Sequence, residues 1–305
     1  MYRTLVIIRH TFVEAVVQPI FSLLIALGIA ILFIFGLLPF FTLGEDANMF
    51  KSVGLDVILL LVLISTLFAT SKSIFDEIED RTMLTLMSKP VKKWEVIVGK
   101  YLGIIGAALL ATVILGGVLI LATYWRIPGD YQLRVNTLDT NEKTQILNLR
   151  KMHIAGLLPS LVLSWLQVSV LAAIGVAIST RVSLVVNLPV VIILYIAGNL
   201  TRFLFPLSGD PTAPLADRSV VVKGFAYVLS LVLPYLETFD LRSVTVMRPI
   251  ALAGTEFALN PVAVAPGVIW NYVGMGFLYA ICYTVFALAV GMWMFQNREL
   301  GGGEG

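Results

Sequence analysis

The sequence predicts an all-α integral membrane protein with an N-terminal interfacial elbow helix, six transmembrane helices and a re-entrant helix pair before the last span. Three observations carry this. Hydrophobic residues make up 58% of the 305 residues and charged residues only 13%, where soluble domains run at about 45–50% and about 25%. Mean hydropathy is +0.93. Apolar segments recur that match the about 20 residues a helix needs to cross about 30 Å of hydrocarbon. The longest interruption between them, 206–266, is short for a soluble domain. The whole chain, 1–305, therefore reads as a single transmembrane domain.

The elements follow in order. Residues 2–17 place Leu5, Ile8, Phe12 and Val16 on one stripe, with Arg3, Arg9, His10 and Glu14 largely off it. That spacing suits a helix lying in the membrane interface, the elbow. Charge interrupts its apolar run and no small-residue cleavage site follows, so it does not read as a signal peptide. Spans are expected at about 20–42, 53–73, 98–124, 154–179, 183–205 and 267–295. Between spans two and three lies a charged loop, 74–97. The loop 125–153 is polar and soluble-looking. Within 206–266, the stretch VVVKGFAYVLSLVLPYL at 220–236 is apolar, too short to span comfortably and interrupted by Pro234, which reads as re-entrant.

Basic residues near span ends set the orientation. Arg3, Arg9, Lys72, Arg81, Lys89, Lys92, Lys93, Lys100, Arg181 and Arg298 gather on one side. That side is taken as cytoplasmic, with both termini there. The net charge of +2 is too small to argue for a nucleic-acid partner, and the single cysteine excludes an intrachain disulfide. Cys282 itself reads as a small buried hydrophobe.

Charge concentrates in FDEIEDRTMLTLMSKPVKKWEVIVGK, residues 75–100, acids first and bases second. Glu77 and Arg81 have the favourable order for a helical pair four apart. Pro90 disfavours helix in the residue before it and suits the first turn of the next. The apolar Met83, Leu84, Leu86 and Met87 between these charges form a face that wants a partner. HExxH, GxSxG and Cys/His clusters do not occur in the sequence. The VGK at 98–100 lacks the phosphate-loop context, since Trp94 and Tyr101 occupy the places of its glycine and hydroxyl. No cofactor site is read in this chain. Gln167 and Asn187, polar within spans, are candidates for a path or a helix interface. Gly99, Gly103 and Gly106 give span three a small-residue face for close packing.

The loop residues Glu77, Glu79, Arg81, Thr82, Ser88, Lys89, Pro90, Val91, Lys93, Glu95, Gly99 and Lys100 follow a pattern that resembles the first cytoplasmic loop of type-2 ATP-binding-cassette (ABC) exporter permeases. The elbow, the spans and LPYLETFDL at 233–241, similar to a segment before the last span of bacterial members, extend the resemblance over essentially the full length. It implies a permease subunit of an ATP-driven exporter, not itself an enzyme, in the inner membrane. Two permeases, identical or related, would pair with separate cytoplasmic ABC ATPase subunits that hold ATP and Mg²⁺. The short helix around 79–88, including Leu84 and Leu86, would be the coupling helix. The competing readings are an ion-coupled secondary carrier, which would favour internal repeats and midplane charges, and a non-transporting membrane scaffold.

Overall fold

The computed structural model describes residues 2–38, 46–80, 92–130, 140–204, 233–253 and 262–296. Over these the chain is helical, with no strand beyond an isolated parallel bridge between Ile250 and Val264. Helix α1 runs Tyr2–Val17 and α2 Pro19–Leu37. Pro19 stands at the start of α2, where its missing N–H costs nothing and its fixed φ suits the first turn. Helix α3 covers Asp46–Thr70, then widens into a π-helical segment Ser71–Asp76 and closes with an α-turn Glu77–Glu79. Helix α4 runs Lys93–Asp130, α5 Thr140–Ser179, α6 Leu184–Leu204 and α7 Pro266–Gln296.

Among the described residues five helices are long and apolar enough to cross a membrane: Pro19–Leu37, Ala47–Glu79, Lys93–Ile127, Lys143–Ser179 and Pro266–Gln296. A shorter apolar segment, Leu184–Asn199, lies within α6. Burial ranks these helices. The apolar window of Lys143–Ser179 is 78% buried, while those of Pro19–Leu37 and Pro266–Gln296 are 22% and 28% buried. Helix α5 is therefore the central post, and α2 and α7 turn most of their apolar surface outward to lipid or to another chain. Leu32, Leu59, Leu63, Leu67, Leu115, Leu163 and Leu171 build the core between α2, α3, α4 and α5.

Basic side chains close the helix ends at both faces of the bundle. Arg181 donates to Met294 O at 2.8 and 3.1 Å, satisfying a carbonyl in the last turn of α7. At the opposite end Arg126 donates to Phe35 O at 2.9 Å, and Arg150 to Tyr124 O at 3.0 Å while lying 3.9 Å over the Tyr124 ring. Asp56 pairs there with Arg242 at 2.6 Å.

Several expectations are corrected. Cys282 is exposed, not buried, because it lies on the outward side of the peripheral α7. On α1, Leu5 is 63% exposed. Ile8, Phe12 and Val16 of the expected stripe are half-buried, and the face set against α4 also takes in Thr4, Ile7 and Thr11. Close backbone approach, not apolar bulk, selects that face. The stretch 125–153 is helical at both ends, since α4 continues to Asp130 and α5 begins at Thr140. Most of the segment read as re-entrant, through 232, lies outside the described residues.

Candidate functional site

The charged stretch between spans two and three is reached from two sides. Of its residues, Arg81, Thr82, Leu84, Leu86, Ser88 and Pro90 lie outside the described residues. Glu77 and Glu79 end the α3 rod and Lys93, Glu95, Gly99 and Lys100 open α4. The backbone N–H of Lys92 donates to Glu95 Oε2 at 3.1 Å, half of a capping box that fixes where α4 starts. Lys93 Nζ sits 5.3 Å from the centroid of Phe295, near the end of α7. Glu79 is exposed.

Lys100 locks the two rods together. Its residue is 4% exposed, yet its ammonium has three partners. Glu77 Oε1 lies at 2.7 Å, Ser73 Oγ accepts at 3.1 Å, and Ser73 O accepts a further short hydrogen bond. Both Ser73 and Glu77 stand where α3 widens, Ser73 within the π-segment and Glu77 just after it. A π-segment opens the backbone and is frequent at functional sites. The lysine thus bridges the wide turn to the first turns of α4, and its buried ammonium finds a carboxylate, a hydroxyl and a carbonyl oxygen as acceptors.

Gly99 and Gly103, on the same first turns, let α1 approach. A Cβ at Gly103 would stand 2.7 Å from Ile8 O and 3.0 Å from Phe12 N, both backbone atoms of α1; at Gly99 it would stand 2.9 Å from Ile7 Cγ2. Helix α1 therefore lies against the α4 backbone directly beside Lys100. One joint gathers the end of α3, the start of α4 and α1.

A second polar cluster abuts it. Asn187 on α6 is fully buried, and its Nδ2 faces Ser179 Oγ at 2.8 Å, Ser71 Oγ at 3.2 Å and Thr70 Oγ1 at 3.4 Å. It ties the start of α6 and the end of α5 to the first π-turn of α3. Gln167 is 4% exposed and buried within α5.

A third cluster, at the opposite end, has no counterpart in the sequence pattern. Lys51 and His153 are each 2% exposed, and Lys51 Nζ lies 2.7 Å from His153 Nδ1 and 3.2 Å from Val246 O. Ser160 and Thr245 share a hydroxyl contact of 2.6 Å beside them. Only one proton fits between two nitrogens at that distance, so at most one of the pair carries charge. The cluster staples the segment Arg242–Val246 to α3 and α5. Its parts are remote in sequence, and a lone lysine near a span end reads simply as a boundary charge. We expect His153→Leu to destabilise by about 1–3 kcal/mol, the cost of a buried donor losing its acceptor. The double replacement Lys51→Met with His153→Leu should cost less than His153→Leu alone, as thermal unfolding in detergent would show. Additive losses would contradict the pairing.

Among the described residues no group of three or more His, Cys, Asp or Glu could hold a metal ion. Five apolar helices long enough to cross a membrane, packed around a central post, define a multi-pass membrane protein. The chain belongs to the ABC-2 family: a family model described as ABC-2 family transporter protein (ABC2_membrane_2) matches residues 33–300. Comparison with curated proteins gives no match.

Proposed function

We propose that the chain is the membrane-spanning permease subunit of an ATP-driven exporter, with six spans, α6 being the fifth, and both termini cytoplasmic in a bacterial inner membrane. Two permeases form the translocation path between them. The energy comes from a separate cytoplasmic ABC ATPase carrying ATP and Mg²⁺, coupled through the helix around 79–88. The observation that supports this most is the Lys100 joint. It ties both rods that flank the charged loop to one another, so a push on the loop moves α3 and α4 as one body, with α1 carried along on the glycine face. Rigid-body movement of this kind is how packed helices transmit a displacement.

The test is co-expression with a candidate ABC ATPase from the same genome. The ATPase should co-purify with the full chain, and should be lost when Leu84 and Leu86 are both changed to Asp. An intact complex after deletion of 79–88 would overturn the docking role. Transport in vesicles that ran on an imposed ion gradient without ATP would instead support an ion-coupled carrier.

A further inference from the structure

Beside the joint, at the same end of the bundle, a cavity of about 520 Å³ opens between the α1–α2 junction, the π-segment of α3 and the start of α6. Its volume falls within the about 300–1,000 Å³ typical of small-molecule pockets. Its apolar lining comes from Pro19, Ile20, Leu23, Phe68 and Leu184, and its polar lining from Gln18, Ser71, Lys72 and Asp76. Gln18 is 5% exposed and its Nε2 has no hydrogen-bond partner among the described residues. Such an orphaned amide is expensive to bury without a partner. Glu14, one turn earlier on α1, likewise keeps a buried carboxylate oxygen, Oε2, without a partner among the described residues. None of these groups serves the Glu77–Lys100 contact.

We propose that this cavity seats the headgroup of a phospholipid bearing both a phosphate and a primary amine, from the membrane leaflet on the charged-loop side. Three features select that occupant. The cavity lies where a membrane-spanning helix passes from apolar to charged sequence, at Phe68 to Lys72, which is headgroup level. Lys72 supplies a cation and Gln18 a neutral donor for the phosphate oxygens. Asp76 opposes a purely anionic headgroup and accepts from an ammonium. The acyl chains would run along Ile20, Leu23 and Phe68, where Leu23 is already 58% exposed. The bound lipid would brace the elbow against the π-segment. Lipid seating requires only that the chain sits in a membrane, and does not depend on the exporter reading.

The experiment is native mass spectrometry of the full-length chain in detergent, titrated with phosphatidylethanolamine, phosphatidylglycerol or soluble glycerophosphoethanolamine. The wild type should retain phosphatidylethanolamine at least several-fold more strongly than phosphatidylglycerol. The soluble headgroup should compete only weakly, since the apolar lining contributes. Lys72→Gln should weaken both lipids about tenfold, by loss of a charge-assisted contact. Asp76→Asn should weaken phosphatidylethanolamine alone and so abolish the preference. Lys72 and Asp76 are exposed, so neither change threatens the fold, and Gln18→Leu provides a buried control expected to act like Lys72→Gln. Equal retention of the two lipids by the wild type would overturn the proposal. So would retention unchanged in Lys72→Gln, or soluble glycerophosphoethanolamine binding as tightly as the lipid, which would mark a free-phosphate site.

Discussion

Glu77→Gln should be among the most damaging single changes outside the apolar core. Lys100 is buried at 4% exposure, and Glu77 is its only charged partner among the ion pairs of the described residues. Replacing the carboxylate by an amide leaves an ammonium in the bundle with only neutral oxygens from Ser73. Breaking a buried pair by removing one partner costs about 3–5 kcal/mol. Glu77 keeps 25% of its side chain exposed, so water offsets part of the loss, and we expect about 2–3 kcal/mol by the same reasoning. The partner change Lys100→Met should cost less, because Glu77 can turn to solvent. The double change Glu77→Gln with Lys100→Met should be more stable than Glu77→Gln alone, as thermal unfolding in detergent would report. Activity should separate from stability here. In the exporter reading the double variant regains stability but not ATP-driven transport, because the two rods are no longer tied. Full transport by the double variant would show that the pair only stabilises.

Replacement of Gly103 is the second large effect. A Cβ there would meet Ile8 O and Thr11 Cβ at 2.7 Å and Phe12 N at 3.0 Å, and backbone cannot rotate aside as a side chain can. Overpacking costs about 1–3 kcal/mol, and a clash with backbone belongs at the upper end. Gly103→Ala should loosen α1 and Gly103→Leu should detach it, seen as faster proteolysis within 2–17 and a lower unfolding temperature. Gly117, on the same helix, has nothing within 4 Å of the position its Cβ would take. Gly117→Ala should therefore be silent. Similar losses at both glycines would contradict the packing.

These two sites also mark how far the sequence is legible. Membrane embedding is plain in it, because a run of about 20 apolar residues rarely serves a water-soluble fold. The glycine face at Gly99, Gly103 and Gly106 is visible as spacing, although not its partner: α1 packs on it through Thr11 and Phe12, while the stripe residue Leu5 faces out. In sequence Glu77 pairs with Arg81, four residues on, because only local spacing can be read there. Its contact with Lys100 depends on how two helices meet. The π-segment Ser71–Asp76 has no sequence signature of its own; Ser71 and Ser73 mark it only once Asn187 and Lys100 are seen bonding to them. The Lys51–His153 contact joins residues 102 apart in the chain and lies beyond any periodicity. Hydropathy reveals spans, whereas polar contacts between spans require the packed bundle.

In the proposed mechanism the charged loop touches an ATPase and passes its movement into α3 and α4. Cysteine cross-linking in membranes reads that contact itself, with Leu84→Cys placed in a Cys282→Ser background and the ATPase co-expressed. The expected result is a cross-link between the loop and the ATPase, with a yield that changes when ATP is added, and no cross-link from Tyr124→Cys at the opposite end of α4. A chain that still co-purifies with the ATPase but forms no cross-link from residue 84 in any nucleotide state would contradict the mechanism.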